Sequence, residues 1–250
     1  MSDAKHRNAL AKDLEELASI LSGDGVCPDP GPLYAASSMC RKAKHAGCWH
    51  YNVAGLILHV GDNVKCIPQQ ITTFSCRLDI EVGGNCAHKH TNSDPLRWLT
   101  AQIELKAPSA KPAMPPFVQT WHFDRHPGDC AAPKPSHPRY HFSFGGRAFE
   151  GHLVSFGKTL IDGLLLLDSP RLTHPPFDGV LAIDFLLSNF AGARWRVLCS
   201  NPNYCRIIRQ AQDRLWAPYA RALHAHWAKD VPAKAIWPIT EIWPHVMQSA

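Results

Sequence analysis

Residues 121–146, WHFDRHPGDCAAPKPSHPRYHFSFGG, gather His122, His126, His137 and His141 with Asp124, Cys130 and Arg139. Imidazole nitrogen, carboxylate oxygen and thiolate are all zinc ligands. His122 and His141, with Asp124 or Cys130 as a third ligand, would leave a fourth position for water. Water held there ionises at about pH 7 and can attack an ester or amide. Without a metal, the same histidines can serve as acid and base on a phosphodiester while Arg139 holds the phosphate. The plainer reading is a solvent-facing sheet surface on which Asp124 and Arg139 form an ordinary cross-strand ion pair.

Side-chain alternation says how such a site would be carried. Trp121 and Phe123 on one strand, and Tyr140, Phe142 and Phe144 on the next, point to an apolar face. Thr120, His122, Asp124 and His126, with His137, Arg139, His141 and Ser143, point to the other. Pairing Asp124 with Arg139 would also set His122 against His141 and His126 against His137, with opposed Cβ atoms about 5 Å apart.

The elements around this hairpin follow from periodicity. Leu10, Leu14, Leu17 and Leu21 recur every three or four residues, which predicts a helix over 3–21 ending at Gly23, and a second short helix is expected over 33–45. From Tyr51 the period becomes two. Cys76, Leu78, Ile80 and Val82 alternate with polar residues, as do Leu99, Ala101, Ile103 and Leu105. Further strands are expected from Phe117, from Arg139 and between His152 and Leu167. Pro175 and Pro176 suggest the start of a buried helix, and residues 203–227 a longer one with Pro218 as a kink or break. The expected fold class is α+β. An antiparallel meander of about four to six strands carries an N-terminal helix and C-terminal helices packed on one face. A single domain over 1–250 is expected: a helical segment 1–48, a sheet 51–167, helices 175–228 and a Trp/Pro-rich tail 229–250.

Composition narrows the function classes. A hydrophobic fraction of 45% can supply a core for 250 residues, and 19% charge does not describe a disordered chain. A net charge of +5, without a basic stripe, makes nucleic acid an unlikely partner, and the clustered Arg206, Arg209 and Arg214 read as a solvated helix face. No apolar run approaches the roughly 20 residues of a membrane span. The opening MSDAKHRNALAKDLEELASIL has acidic residues among its apolar ones, unlike a signal or transit peptide, so the expected location is the cytoplasm. Nine cysteines without a Cys-x-x-Cys pair read as free thiols.

Two further features need an account. Asp184 lies within the apolar run VLAIDFLLSNF and needs a partner, for which Arg171 and Arg194 are candidates. Trp237 and Trp243 punctuate the tail, IWPITEIWPHV. They either pack back on the core or form a docking patch for a partner protein.

The order helix, meander, extended LTHPPFD segment, then helices resembles the ubiquitin-conjugating-enzyme fold over about residues 60–228, in a divergent RWD-type form. His174-Pro175 is similar to the His-Pro pair that precedes the active cysteine in that family. Here no cysteine follows within the next few residues, the first being Cys199. The resemblance therefore implies a member without thioester chemistry, acting as a structural or adaptor subunit. Bacteria carry such divergent members in ubiquitin-like conjugation and phage-defence operons.

Two functional expectations result. One is a non-catalytic accessory subunit of a bacterial cytosolic multiprotein system, binding protein partners through its sheet and through Trp237 and Trp243. The other is a metal-dependent hydrolase or phosphoesterase. It would use His122, Asp124, His141 and Arg139 in catalysis, with zinc held by His122, His141 and Asp124.

Overall fold

The first helix, α1 (Asp3–Gly23), begins where Ser2 accepts a hydrogen bond from the Lys5 amide, and it buries Leu10, Leu14, Leu17 and Leu21. This is a computed structural model, and it describes residues 2–42, 47–60, 73–86, 93–108, 116–126, 138–145, 172–228, 237 and 242. Helix α2 (Gly31–Arg41) carries Pro32 in its first turn, where the missing amide costs no hydrogen bond, and Lys42 is its C-cap; the expected end at His45 lies outside the described residues. Glu15 of α1 ties the two together by accepting from Ser37 and Arg41.

Six strands follow: β1 (Cys48–Val60), β2 (Phe74–Asn85), β3 (Leu96–Ala107), β4 (Phe117–Arg125), β5 (Tyr140–Phe144) and β6 (Leu172–Thr173). They form one sheet in sequential order, with every neighbouring pair antiparallel. The α+β expectation holds, with helices before and after a six-stranded meander. A register shift between Val53 and Leu56 bends β1. Gly55 takes a left-handed φ of 69° there and gives its amide to Asp79 Oδ1 at 2.7 Å. The strands expected between His152 and Leu167 lie outside the described residues.

Three helices close the chain: α3 (Gly179–Phe190), α4 (Gly192–Leu198) and α5 (Pro202–Trp227). The two prolines do not open α3. Its N-cap is Asp178, whose Oδ1 accepts from the Val180 and Leu181 amides at 3.1 Å each. The brief α4 is too short for its apolar period to show in sequence. Helix α5 runs through Pro218 without a break, and Pro218 itself is buried.

The core lies between the helices and one sheet face. Cross-strand neighbours Val53, Ile80, Ala101, Phe123 and Phe142 line that face, and all are buried. Each fully buried side chain of this size contributes about 1.5–3 kcal/mol. Helix α3 covers the face, with Phe185 on Phe142 at 5.3 Å between ring centroids and Phe190 on Phe74 at 6.2 Å. His174 is enclosed by Phe123, Phe142, Phe177 and Phe185, and burial holds its pKa below the usual value.

Three charge assignments differ from expectation. Arg214 does not lie on a solvated helix face: its guanidinium meets Asp178 at 2.5 Å, and that carboxylate is fully buried. Among the described residues Asp184 is held by neutral donors, with Trp195 Nε1 and Tyr204 Oη both at 2.8 Å from Oδ1. Arg194 turns instead to the Asp24 backbone carbonyl, and Arg171 lies outside the described residues.

Candidate metal centre

Strand β4 brings His122 and Asp124 to the sheet face opposite the core, and β5 brings His141 to the same face. The expected register is out by two residues. Asp124 pairs with His141 and His122 with Ser143, whereas the pairing predicted for Asp124 was with Arg139. A shift of two preserves which face each side chain occupies but changes every partner.

Arg139 explains the difference. It precedes β5, and its guanidinium lies 3.0 Å from Asp94 Oδ2, where Arg125 Nε also donates at 3.0 Å. Asp94 Oδ1 accepts from the Leu96 amide at 3.1 Å and from Tyr140 Oη. Two guanidiniums thus share one carboxylate at the ends of β3, β4 and β5. Arg139 is engaged there and is not set across from Asp124 to grip a phosphate.

Around Asp124 the histidines converge. His122 Nε2 lies 2.9 Å from Oδ2, His126 Nε2 3.2 Å from Oδ2, and His141 Nε2 3.1 Å from Oδ1. The ligand atoms of Asp124, His126 and His141 all fall within 4.8 Å of one another. The His126 and His141 rings stack with centroids 5.3 Å apart. The expected ligand set was His122, His141 and Asp124; the geometry puts His126 in the triangle. His126 follows the last β4 residue and stays on the same side because its amide still donates to the Arg139 carbonyl at 2.8 Å. Its alternation with His122 and Asp124 was the available sequence signal. His137 and Cys130 lie outside the described residues, as does Trp243.

This cluster is not an open wet surface. The Asp124 side chain is 17% exposed and that of His141 4%, while His122 and His126 form the more open side at 28% and 35%. Burial raises the Asp124 pKa, but the His122 hydrogen bond and the nearby His141 and His126 outweigh it, leaving the carboxyl below its ordinary value.

The hydrogen bonds distinguish the rings. His141 Nδ1 lies 3.2 Å from the Pro138 carbonyl, which can only accept, so Nδ1 carries the hydrogen. In the neutral ring, Nε2 then holds a lone pair directed at Asp124 Oδ1. That oxygen is buried and has no hydrogen-bond partner among the described residues. Two bare acceptors 3.1 Å apart repel, so the contact calls for positive charge between them: a second proton on His141, making an imidazolium–carboxylate pair, or a bound metal ion. A tetrahedral zinc with bonds of about 2.0–2.1 Å would set its ligand atoms about 3.3 Å apart, close to the 3.1 Å between His141 Nε2 and Asp124 Oδ1. The Nδ1–H to carbonyl contact is also the outer support that zinc-binding histidines commonly have.

Trp237, expected to pack on the core or form a docking patch, is 1% exposed and lies edge-on against Tyr140 and Tyr219. The residues sequence reasoning missed are Asp94 and Asp178. Each is a single acid whose importance depends on arginines distant in the chain.

Comparison of the chain with family models, with curated proteins and with solved structures found no match in any of the three. No described helix is long and apolar enough to cross a membrane.

Proposed function

We propose that the protein is a metal-dependent hydrolase whose ion, of the zinc class, is held by Asp124, His126 and His141. The observation that carries this reading is the convergence of the Asp124, His126 and His141 ligand atoms within 4.8 Å of one another, on a largely buried carboxylate. Three protein ligands with a more exposed side at His122 and His126 fit the pattern of catalytic rather than structural zinc, in which the fourth position takes water. A bound ion would supply hydroxide near neutral pH. The chain's own residues would orient the ligands, and the aromatic packing of Phe123 and Phe142 behind them would keep the two strands in register. The test is hydrolysis of p-nitrophenyl acetate and bis(p-nitrophenyl) phosphate by untagged protein. Activity should disappear on chelation, return with added zinc, and be absent in His141→Ala. Activity indifferent to chelation would overturn the reading.

A second reading is favoured by the order of elements. A helix, an antiparallel meander, the extended segment with His174-Pro175 and then helices accord with an RWD-type accessory subunit of a bacterial cytosolic system, such as one in phage defence. His174 is enclosed by aromatic rings and Cys199 lies beyond α3 and α4, which supports a role without thioester chemistry. Under this reading the sheet and Trp243 would meet a protein partner. Co-purification from the native host should then recover a stoichiometric partner, and a solitary chain would count against it.

A further inference from the structure

We infer that His122 is not a ligand of this centre but its positioning residue, holding the Asp124 carboxylate so that Oδ1 is presented to the metal. This rests on the metal reading above. An ionised carboxylate can only accept, so at 2.9 Å it is His122 Nε2–H that donates to Asp124 Oδ2. The ligand atoms of Asp124, His126 and His141 converge within 4.8 Å, and His122 is not in that group, so its ring is placed to hold the carboxylate rather than to join the ligands. With a metal bound, His141 would keep its hydrogen on Nδ1 toward the Pro138 carbonyl and offer its Nε2 lone pair to the ion beside Oδ1. The two rings therefore address the two oxygens of one carboxylate differently. His122 secures Oδ2, and His141 shares Oδ1 with the ion.

Register accounts for the division of labour. Asp124 and His141 are direct cross-strand partners, while His122 is two residues back along β4 and faces Ser143. From there its ring reaches along its own strand to Asp124. Gln102, opposite His122 on β3, gives its amide to the Trp121 carbonyl at 3.1 Å and so is occupied with backbone rather than with the cluster. Loss of an outer donor of this kind commonly weakens metal affinity 10–100-fold without removing a ligand.

The experiment is titration of untagged protein with zinc, and separately with cobalt(II), whose visible absorption reports the ligand set. His122→Ala should bind zinc about 10–100-fold more weakly than wild type, with the same stoichiometry and a cobalt band of unchanged shape. His122→Gln, which keeps an N–H donor at similar reach, should recover most of the affinity. His141→Ala should lose the cobalt band. If His122→Ala loses the band as His141→Ala does, His122 is a ligand and the inference fails while the metal reading stands. If His122→Ala binds zinc as wild type does, the positioning role fails. If wild type takes up neither ion, the metal reading falls and this role with it. Circular dichroism of each variant verifies folding, and His122→Gln supplies the comparison should the alanine variant fold poorly.

Discussion

His141 Nε2 stands 3.1 Å from Asp124 Oδ1 across the β4–β5 ladder, with its other ring nitrogen committed to the Pro138 carbonyl. The contact joins two groups that both present lone pairs when the ring is neutral. Together with His126 it brings three ligand atoms within 4.8 Å of one another on a mostly buried carboxylate, which separates this cluster from a decorated sheet surface. Its precision depends on charge and packing elsewhere in the fold, which can be tested independently.

Arg214 and Asp178 are the deepest such pair, the arginine side chain being 14% exposed and the aspartate 0%. Removing the guanidinium leaves a buried carboxylate, although the Val180 and Leu181 amides still hold its Oδ1. Arg214→Met should cost about 3 kcal/mol, the low end of the range for breaking a buried pair. Arg214→Met with Asp178→Asn should recover part of that loss, since asparagine can still cap α3. Urea denaturation of the three proteins measures both.

His174 gives the fold an acid sensitivity. Burial lowers its pKa, so below about pH 6.5, where the unfolded chain takes up a proton, the folded chain resists doing so. The unfolded state then holds more protons and stability rises with pH. The contribution is full above about pH 6.5 and shrinks as pH falls toward the folded-state pKa. Thermal melts from pH 7.5 to pH 5 should show the midpoint falling, and His174→Gln should flatten that dependence. An equally steep profile in the variant would assign the sensitivity to other groups.

How far the architecture could be read from sequence depends on how local its causes are. The leucine stripe of α1 and the alternation in β2 and β3 are patterns of neighbouring residues, so those elements and the α+β class follow directly. Alternation also places His122, Asp124 and His141 on one face. The β4–β5 register escapes that logic. A long connection does not fix it, and Asp94, more than 40 residues before Arg139, captures the arginine that seemed to belong opposite Asp124. The same reason hides the role of Arg214, whose partner lies 36 residues away before another helix.

Gly83 and Gly84 make a local prediction about the sheet that holds the site. A Cβ on Gly84 would lie 2.5 Å from the Pro95 carbonyl oxygen and 2.8 Å from the buried Trp49 ring, neither of which can yield easily. One on Gly83 would first meet the Trp98 ring, at 2.1 Å, and that side chain is partly exposed and can swing away. Gly84→Ala should therefore cost about 1–3 kcal/mol, and Gly83→Ala clearly less. Chemical denaturation midpoints compare them, and a reversed order would refute this packing argument.

Whether Asp124, His126 and His141 hold a metal is decided by isothermal titration of zinc into untagged, chelator-stripped protein. Wild type should bind one zinc per chain and the Asp124→Ala and His141→Ala variants none, with folding retained. Wild-type protein that takes up no zinc, or a His141→Ala variant that binds as tightly as wild type, would contradict a metal centre there.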